Sequence, residues 1–290
     1  MSPRPEPDAA EPVQPPPDAA PPKAWDATAP SADTGGGGEP DAAPAPATCD
    51  ETRPRRPGLA ILPVTVELTL GGKPLTFGQP FPLPAGNLTL TSFRFYLADV
   101  ALLRGDQAVP ADLVAADGAP VPYNLHLVTA DEPAGMTFRL AAPAGEGYTG
   151  LSFLFGLSPA CDQMNPSTSK PPLTSSSQMD WPGPFGYLFL RYGARYQGVT
   201  EAERGPELIH MGGFPGLVFA PRVTAPGPVR VAGGQAPRLR VDVAEIIRAA
   251  RMPAMNEGPI APPTGGGVGE GDALRQHAGE VSIFSVSPGP

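Results

Sequence analysis

The sequence predicts an all-β protein: an antiparallel β-sandwich with one short helix near the C-terminus, preceded by a disordered N-terminal stalk. Short runs of alternating apolar and polar residues begin near residue 59, and Pro and Gly turns separate them. The preceding residues have a very different composition. These two observations divide the chain into a stalk at 1–58 and a sandwich body at 59–290.

The stalk is identified by its composition and its charge. Residues 1–58 contain fifteen prolines and the glycine run 35–38, but few large apolar side chains. Such a segment cannot bury enough apolar surface to offset the entropy of ordering it. Residues 1–50 carry a net charge of −7, whereas the whole chain carries −9. An acidic stalk on a nearly neutral body argues against binding to nucleic acid or to anionic lipid.

The strands of the body are predicted from a period of two. Val64, Val66, Leu68 and Leu70 share one face, and a turn follows at 71–72. The same reasoning predicts further strands at 88–97 and on towards 102, 123–128, 137–140, 151–155, 187–192, 217–219, 229–231, 239–241 and 281–286.

One helix is predicted late in the chain. Asp242 followed by Glu245 is a capping box ahead of the helical run 246–251, and Pro253 ends the helix. Residues 256–271 are predicted to form a Gly/Pro-rich loop. His277, which has no ligand spacing around it, is also assigned to a loop.

The residues that suggest chemistry cluster between residues 150 and 213. Met179, Trp181, His210 and Met211 lie there on segments that otherwise have the pattern of short strands. Imidazole and thioether groups together suit copper, because Cu(I) favours soft sulfur and nitrogen ligands over carboxylates. Methionine also fills gaps in cores without any metal, and a tryptophan among prolines also closes the end of a sandwich.

Alternation places the two candidate histidines differently. His210 shares a face with Leu208, a position that suits either a hydrogen-bonded core histidine or a ligand. His126 lies on the face opposite Leu125 and Leu127, so we expect it to point to solvent unless it is a second ligand.

The two cysteines leave two alternatives open. Cys49 and Cys161 form one disulfide that ties the stalk to the body, or both remain free. A free Cys161 thiolate would be a strong copper ligand, and a disulfide would remove it.

Several motifs, in order, make the chain resemble the MbnP-like copper-binding proteins, which are encoded beside methanobactin systems. The match that carries most weight starts at Met179 and Trp181 and continues through Gly186 and Tyr187, as in the family pattern MxWxWxxGYxF. His210 then falls where the family places its HLG motif. Weaker matches, to an early strand, a YHLVD strand and a GxYxxLxF strand, lie at 93–102, 123–128 and 147–156.

The resemblance implies an exported β-rich protein that binds copper for scavenging, storage or handover. In some members a di-haem peroxidase-like partner converts a tryptophan to kynurenine, and the modified residue helps to hold copper. Carried over to this chain, Trp181 is the candidate for modification, His210 a candidate imidazole ligand and His126 a second imidazole. Their thioethers add Met179 and Met211 to the candidate metal residues. The chain departs from the family pattern at Gly183, which occupies the position of the second tryptophan.

The resemblance and the composition together define the expected setting. We expect a monomer in the periplasm or on the cell surface, tethered by its stalk, although the N-terminus has no signal peptide. The motifs of serine hydrolases, P-loop proteins and zinc peptidases are absent, so the sequence does not indicate an enzyme. The alternative is a metal-free, surface-displayed interaction module in which Trp181 and His210 only close the sandwich.

Overall fold

Two β-sheets packed face to face form the body of the protein. The structure, a computed structural model, describes residues 49–51, 54–181, 186–201, 203–212, 220–232, 235–252 and 268–289. Its strands are β1 (Ala60–Leu70), β2 (Lys73–Pro74), β3 (Phe81–Leu83), β4 (Gly86–Arg104), β5 (Gln107–Pro110), β6 (Asp112–Val114), β7 (Leu125–Thr129), β8 (Thr137–Ala142), β9 (Gly145–Phe155), β10 (Leu188–Gln197), β11 (Leu208–Gly212), β12 (Arg222–Val231), β13 (Arg238–Asp242) and β14 (Phe284–Ser287). The helices are α1 (Pro159–Asp162), α2 (Val243–Ala250) and α3 (Val268–His277). Within the described ranges, no helix has both the length and the apolar character needed to cross a membrane.

The two sheets differ in size and connectivity. The six-stranded sheet has the order β14-β13-β1-β8-β6, with β2 paired to β1. The eight-stranded sheet has the order β11-β10-β4-β9-β12, and β3, β5 and β7 also pair with β4. Strand β4 is therefore the central element of the larger sheet. The predicted all-β sandwich is confirmed, with one exception to its antiparallel character: β1 and β13 run parallel.

An aromatic cluster joins the two sheets. Phe284 of β14 packs against three rings of the larger sheet at centroid distances of 5.0 Å to Phe153, 5.1 Å to Phe155 and 6.0 Å to Phe95. The first two contacts are nearly perpendicular, which is the favourable edge-to-face geometry. This cluster identifies the inner face of the larger sheet as the one that carries Phe95.

The helical content differs from the sequence prediction. The predicted helix is present as α2, and the described residues contain two further helices, α1 and α3. Helix α3 begins at Val268, inside the predicted loop 256–271, and includes His277, whose assignment to a loop is wrong. Leu274 is fully buried, so packing stabilises α3 although its sequence is a weak helix former. The loop prediction for 256–267 lies outside the described residues, as does the predicted strand 217–219.

The boundaries of two predicted elements also change. The predicted strand 123–128 begins only at Leu125, because residues 122–124 form a helical turn in which Tyr123 has a φ of 61°. The predicted cap of α2 is correct at Asp242, whose carboxylate accepts the Ala244 N–H at 3.0 Å. Glu245 does not complete the capping box and pairs instead with Arg248 at 2.5 Å.

The last residues assigned to the stalk contact the body. Cys49 is disulfide-bonded to Cys161, which settles the alternative that the sequence left open. Glu51 lies 2.9 Å from the Lys170 ammonium and accepts the Tyr123 hydroxyl at 2.9 Å. The structure therefore anchors residues 49–51 to the body.

Replacing Phe284 by Ala is expected to remove the contact that joins the sheets. Large-to-small changes of buried aromatic residues cost about 3–5 kcal/mol, because the cavity that remains collapses only in part. We expect Phe284→Ala to lower the free energy of unfolding by that amount in urea denaturation. Ile61→Ala is the control, because Ile61 is 40% exposed, and it should change stability by less than about 1 kcal/mol. Equal losses in the two variants would contradict this account of the core.

Candidate functional site

A long loop between β9 and β10 covers the outer face of the larger sheet. Side chains of β4 and of Tyr187, which directly precedes β10, hold its backbone. The Tyr96 hydroxyl donates to the Pro172 carbonyl at 3.0 Å, and the Tyr187 hydroxyl donates to the Leu173 carbonyl at 2.7 Å. Arg94 donates to the Ser177 carbonyl at 2.7 Å. Because these donors are fixed on the sheet and at its margin, the loop has a defined position although its only regular elements are α1 and a helical turn at Ser175–Ser177.

The end of this loop forms a short antiparallel ladder that carries Trp181. The Trp181 N–H donates to the Gly186 carbonyl at 2.9 Å, and the Leu188 N–H donates to the Met179 carbonyl at 2.6 Å. Asp180 lies directly opposite Tyr187 in this ladder. Side chains alternate in extended backbone, so Met179 and Trp181 share one side of the ladder. Gly183 lies outside the described residues.

Trp181 and His210 are brought together although they are far apart in the sequence. Their ring centroids are 5.8 Å apart, and the ring planes meet at 80°. Gly212 permits this arrangement, because a Cβ at that position would lie 2.6 Å from the Trp181 Nε1 atom. The indole thus rests against the backbone of β11, two residues beyond His210. Both rings remain partly exposed.

The surroundings of His210 favour the neutral form of its imidazole. Burial lowers its pKa, and the positive charge of Arg191 lowers it further. Arg191 lies directly opposite His210 in the pairing of β10 with β11. A neutral imidazole has an unprotonated ring nitrogen available to a metal ion or a hydrogen-bond donor.

Strand register separates His126 and Met211 from this pair. Arg94, Arg191 and His210 are direct cross-strand partners, and so are Phe95, Leu190 and Met211. Residues directly opposite each other in a sheet share a face. Met211 therefore lies on the inner face with Phe95, and one ion cannot bind the side chains of His210 and Met211 together.

His126 also belongs to the inner face. It pairs with Leu97, and its ring lies 5.6 Å from Phe138 of the other sheet. Its Nε2 atom donates to the Gly135 carbonyl at 3.0 Å, since a carbonyl can only accept. The expectation that His126 points to solvent is wrong, and burial lowers its pKa.

The described residues provide few other donors. Met179 is fully buried beside Trp181, and the Cys161 sulfur is used by the disulfide. Across the described ranges, no group of three or more His, Cys, Asp or Glu residues is arranged to hold a metal ion. Among the predicted metal residues, only Met179, Trp181 and His210 are placed on the outer side of the larger sheet.

Sequence reasoning missed one ionisable residue beneath the Trp181 ladder. Asp162 is 1% exposed, and its Oδ1 atom accepts the Tyr187 N–H at 2.9 Å. Its Oδ2 atom is buried without a hydrogen-bond partner among the described residues. The carboxylate lies against Gly186, where a Cβ would be 2.7 Å away. Its position next to Cys161 was the only signal in the sequence.

The fold and the site define a class of protein: a two-sheet β-sandwich whose larger sheet presents one histidine and one tryptophan, ring against ring, on its outer side. A profile of the MbnP family matches residues 61–260, and the chain belongs to that family. The solved structure of MbnP from Methylosinus trichosporium is similar, with a TM-score of 0.51 and 19% sequence identity. The likeness covers 79% of this chain and 99% of that one, and at this identity it shows a shared fold. No curated protein matches the chain.

Gly212→Ala is expected to displace the Trp181 indole from β11. The added methyl group would overlap the indole nitrogen, which lies 2.6 Å from the ideal Cβ position. In a Trp25→Phe background Trp181 is the only tryptophan, so its fluorescence reports on this residue alone. We expect a red-shifted emission maximum, because the displaced indole is more exposed to water. Gly279→Ala is the control, since its nearest neighbouring atom would be 3.9 Å away. An unchanged spectrum in Gly212→Ala would refute the packing described.

Asp162→Asn is expected to change how stability depends on pH. Burial raises the pKa of the Asp162 carboxyl to about 6 from its ordinary 3.8, although the Tyr187 N–H acts in the opposite direction. The ionised carboxylate therefore destabilises the folded state at neutral pH. Stability increases as pH falls through 6, and the gain is complete below 3.8.

The Asp162→Asn variant lacks this gain in stability, because its amide side chain does not titrate. Between about pH 7.5 and about pH 5, we expect wild type to gain about 1 kcal/mol in the free energy of unfolding relative to Asp162→Asn. Urea denaturation of both proteins at the two pH values measures the difference. Parallel changes with pH would show that burial does not raise the pKa of Asp162 in the folded protein.

Proposed function

We propose that the protein binds copper, as Cu(I), beside His210 and Trp181, for scavenging, storage or handover. The observation that carries the proposal is the ring contact of His210 and Trp181 on the outer side of the larger sheet, at 5.8 Å. It occurs in a member of the MbnP family, whose resemblance to this sequence first suggested copper. Copper is the cargo of the protein in this proposal, and no reaction is assigned to it.

The chemistry of His210 supports a singly charged ion. Burial and Arg191 both lower the pKa of His210, which favours the form with an unprotonated ring nitrogen. Arg191 also repels any cation bound to His210, and Coulomb repulsion is twice as large for Cu(II) as for Cu(I) at the same distance. Imidazole and thioether groups are suitable ligands for Cu(I).

The remaining donors are expected from Met179 and Trp181. The chain has three histidines, and of these His126 faces the sandwich interior while His277 is buried at the end of α3. Met179 shares one side of the ladder with Trp181 and offers a thioether.

An unmodified indole is a poor ligand, whereas kynurenine has an aromatic amine and a ketone. We therefore propose that a di-haem peroxidase-like partner oxidises Trp181, which is partly exposed.

The setting that we propose is the periplasm or the cell surface, with the stalk as a tether. The Cys49–Cys161 disulfide favours an oxidising compartment, since disulfides persist in exported proteins and are rare in the cytosol. We also propose that the protein is monomeric and is not an enzyme.

A second candidate function is a metal-free interaction module at the surface. One observation favours it: within the described residues, the donors around His210 do not include two further His, Cys, Asp or Glu side chains. Trp181 and His210 would then only close the outer side of the sandwich.

A Cu(I) titration with two matched variants distinguishes the candidates. The protein is purified from its native host so that any modification of Trp181 is present, and peptide mass spectrometry identifies tryptophan or kynurenine at that residue. We expect His210→Gln to abolish stoichiometric binding, because it removes the only imidazole of the site. His126→Gln keeps an amide donor for the Gly135 carbonyl and should bind as wild type.

The same titration has outcomes that oppose the proposal. Equal binding by wild type and His210→Gln would place the copper elsewhere in the protein. Failure of wild type to bind, with unmodified tryptophan at Trp181, would favour the interaction module. Thermal unfolding with and without Cu(I) adds an independent measure, since an ion that binds only the folded state raises Tm.

A further inference from the structure

The disulfide is located at the start of the loop that carries Trp181. Cys161 belongs to α1, a single turn of four residues immediately after β9. One side chain caps this turn: the Cys161 N–H donates to the Ser158 hydroxyl oxygen at 3.3 Å. A helix this short has little stability of its own. The bond from Cys161 to Cys49 is therefore a major constraint on the position of α1.

A short series of contacts leads from the disulfide to the tryptophan. Asp162 follows Cys161 directly, and its carboxylate accepts the Tyr187 N–H at 2.9 Å. The same carboxylate lies against Gly186, and the Gly186 carbonyl accepts the Trp181 N–H at 2.9 Å. The position of α1 is thus coupled to the ladder that presents the indole to His210.

The buried Asp162 carboxylate favours movement of α1 away from the sheet. Asp162 is 1% exposed, yet one of its oxygens has no hydrogen-bond partner among the described residues. An ionised group in this situation is more stable in water. Movement of α1 away from the sheet would hydrate it, and the disulfide opposes that movement.

The non-covalent contacts of the same segment are weaker. Glu51 pairs with Lys170 at 2.9 Å, but the Lys170 side chain is 58% exposed. Exposed ion pairs contribute little to stability, because water and salt screen them. Cys49 is partly exposed, whereas Cys161 is buried, so a reductant reaches the Cys49 sulfur more easily.

We propose that the Cys49–Cys161 disulfide is a redox switch that orders the Trp181–His210 site when oxidised and releases it when reduced. A dithiol, such as a thioredoxin-like protein or dithiothreitol, supplies two electrons and two protons and is itself oxidised to a disulfide. The S–S bond breaks, and two thiols form on the protein. The effect on the site as a copper site rests on the function proposed above, whereas the effect on its order does not.

Amide exchange measured by NMR tests the structural part without copper. We expect reduction by dithiothreitol to speed exchange of the Trp181, Tyr187 and Leu188 amides by about tenfold or more, because their partners in the ladder become mobile. The Phe95 and Leu97 amides, in the centre of β4, should keep their rates. Cys49→Ser with Cys161→Ser should reproduce the reduced protein.

Two further variants separate the disulfide from its surroundings. Glu51→Gln removes the ion pair but keeps the covalent bond, so its exchange rates should match the oxidised wild type. Asp162→Asn in the reduced protein removes the buried charge and should slow exchange at Trp181 again. Unchanged exchange at Trp181 on reduction would overturn the proposal. Equal acceleration throughout β4 would also overturn it, because the bond would then act on global stability alone.

A Cu(I) titration of the double serine variant tests the link to copper, since this variant has no free thiols to compete for the ion. We expect its affinity to be about tenfold or more weaker than that of the oxidised wild type. If loss of the disulfide makes the site mobile but the double serine variant binds Cu(I) as tightly as the oxidised wild type, the regulatory part of the proposal is wrong. If reduction speeds amide exchange at Trp181 but the wild-type protein binds no copper, the proposed function is wrong and the redox switch is established.

Discussion

Both faces of β4 are buried, and this double burial is the constraint on which the rest of the structure depends. Its Phe93, Phe95 and Leu97 side chains face the second sheet, where Phe95 meets Phe284. Arg94 and Tyr96, on the other face, hold the backbone of the covering loop. One strand thus joins the core to the layer that carries Trp181. A shift of one residue in its register would exchange the two faces and destroy both at once.

The site is built on supports of unequal rigidity. His210 is fixed by its pairing with Arg191 within a sheet. Trp181 is fixed by a two-bond ladder, by the absence of a side chain at Gly212 and by a loop whose start is covalently anchored. Differences in local stability of this kind are usual where a protein exchanges a ligand, because entry and release require a part that moves. His210 is thus held within a sheet, whereas Trp181 is held by fewer contacts at the end of a loop.

The sequence predicted the sandwich well because its strands alternate clearly. Val64 to Leu70 belongs to β1, and the predicted cap at Asp242 begins α2. Helix α3 was missed because burial of Leu274, not the local pattern, stabilises it. The motif order suggested Trp181 and His210, and the structure shows that their rings are in contact, whereas their role in a metal site stays a prediction. Strand alternation alone could not show that His126 and Met211 face the interior, since that depends on which strands become neighbours. Beyond its position next to Cys161, Asp162 gave no signal, because its burial is a property of the folded loop.

The parallel pairing of β1 with β13 has a consequence for the order of assembly. Val66 lies beside Leu239, a neighbour that is synthesised much later. Such distant pairings form slowly, because a long loop must close before any contact compensates for its entropy. Strand β1 therefore keeps one hydrogen-bonding edge open until β13 has been made. Unpaired edges promote association between chains, so the interval before β13 arrives is the period of greatest aggregation risk.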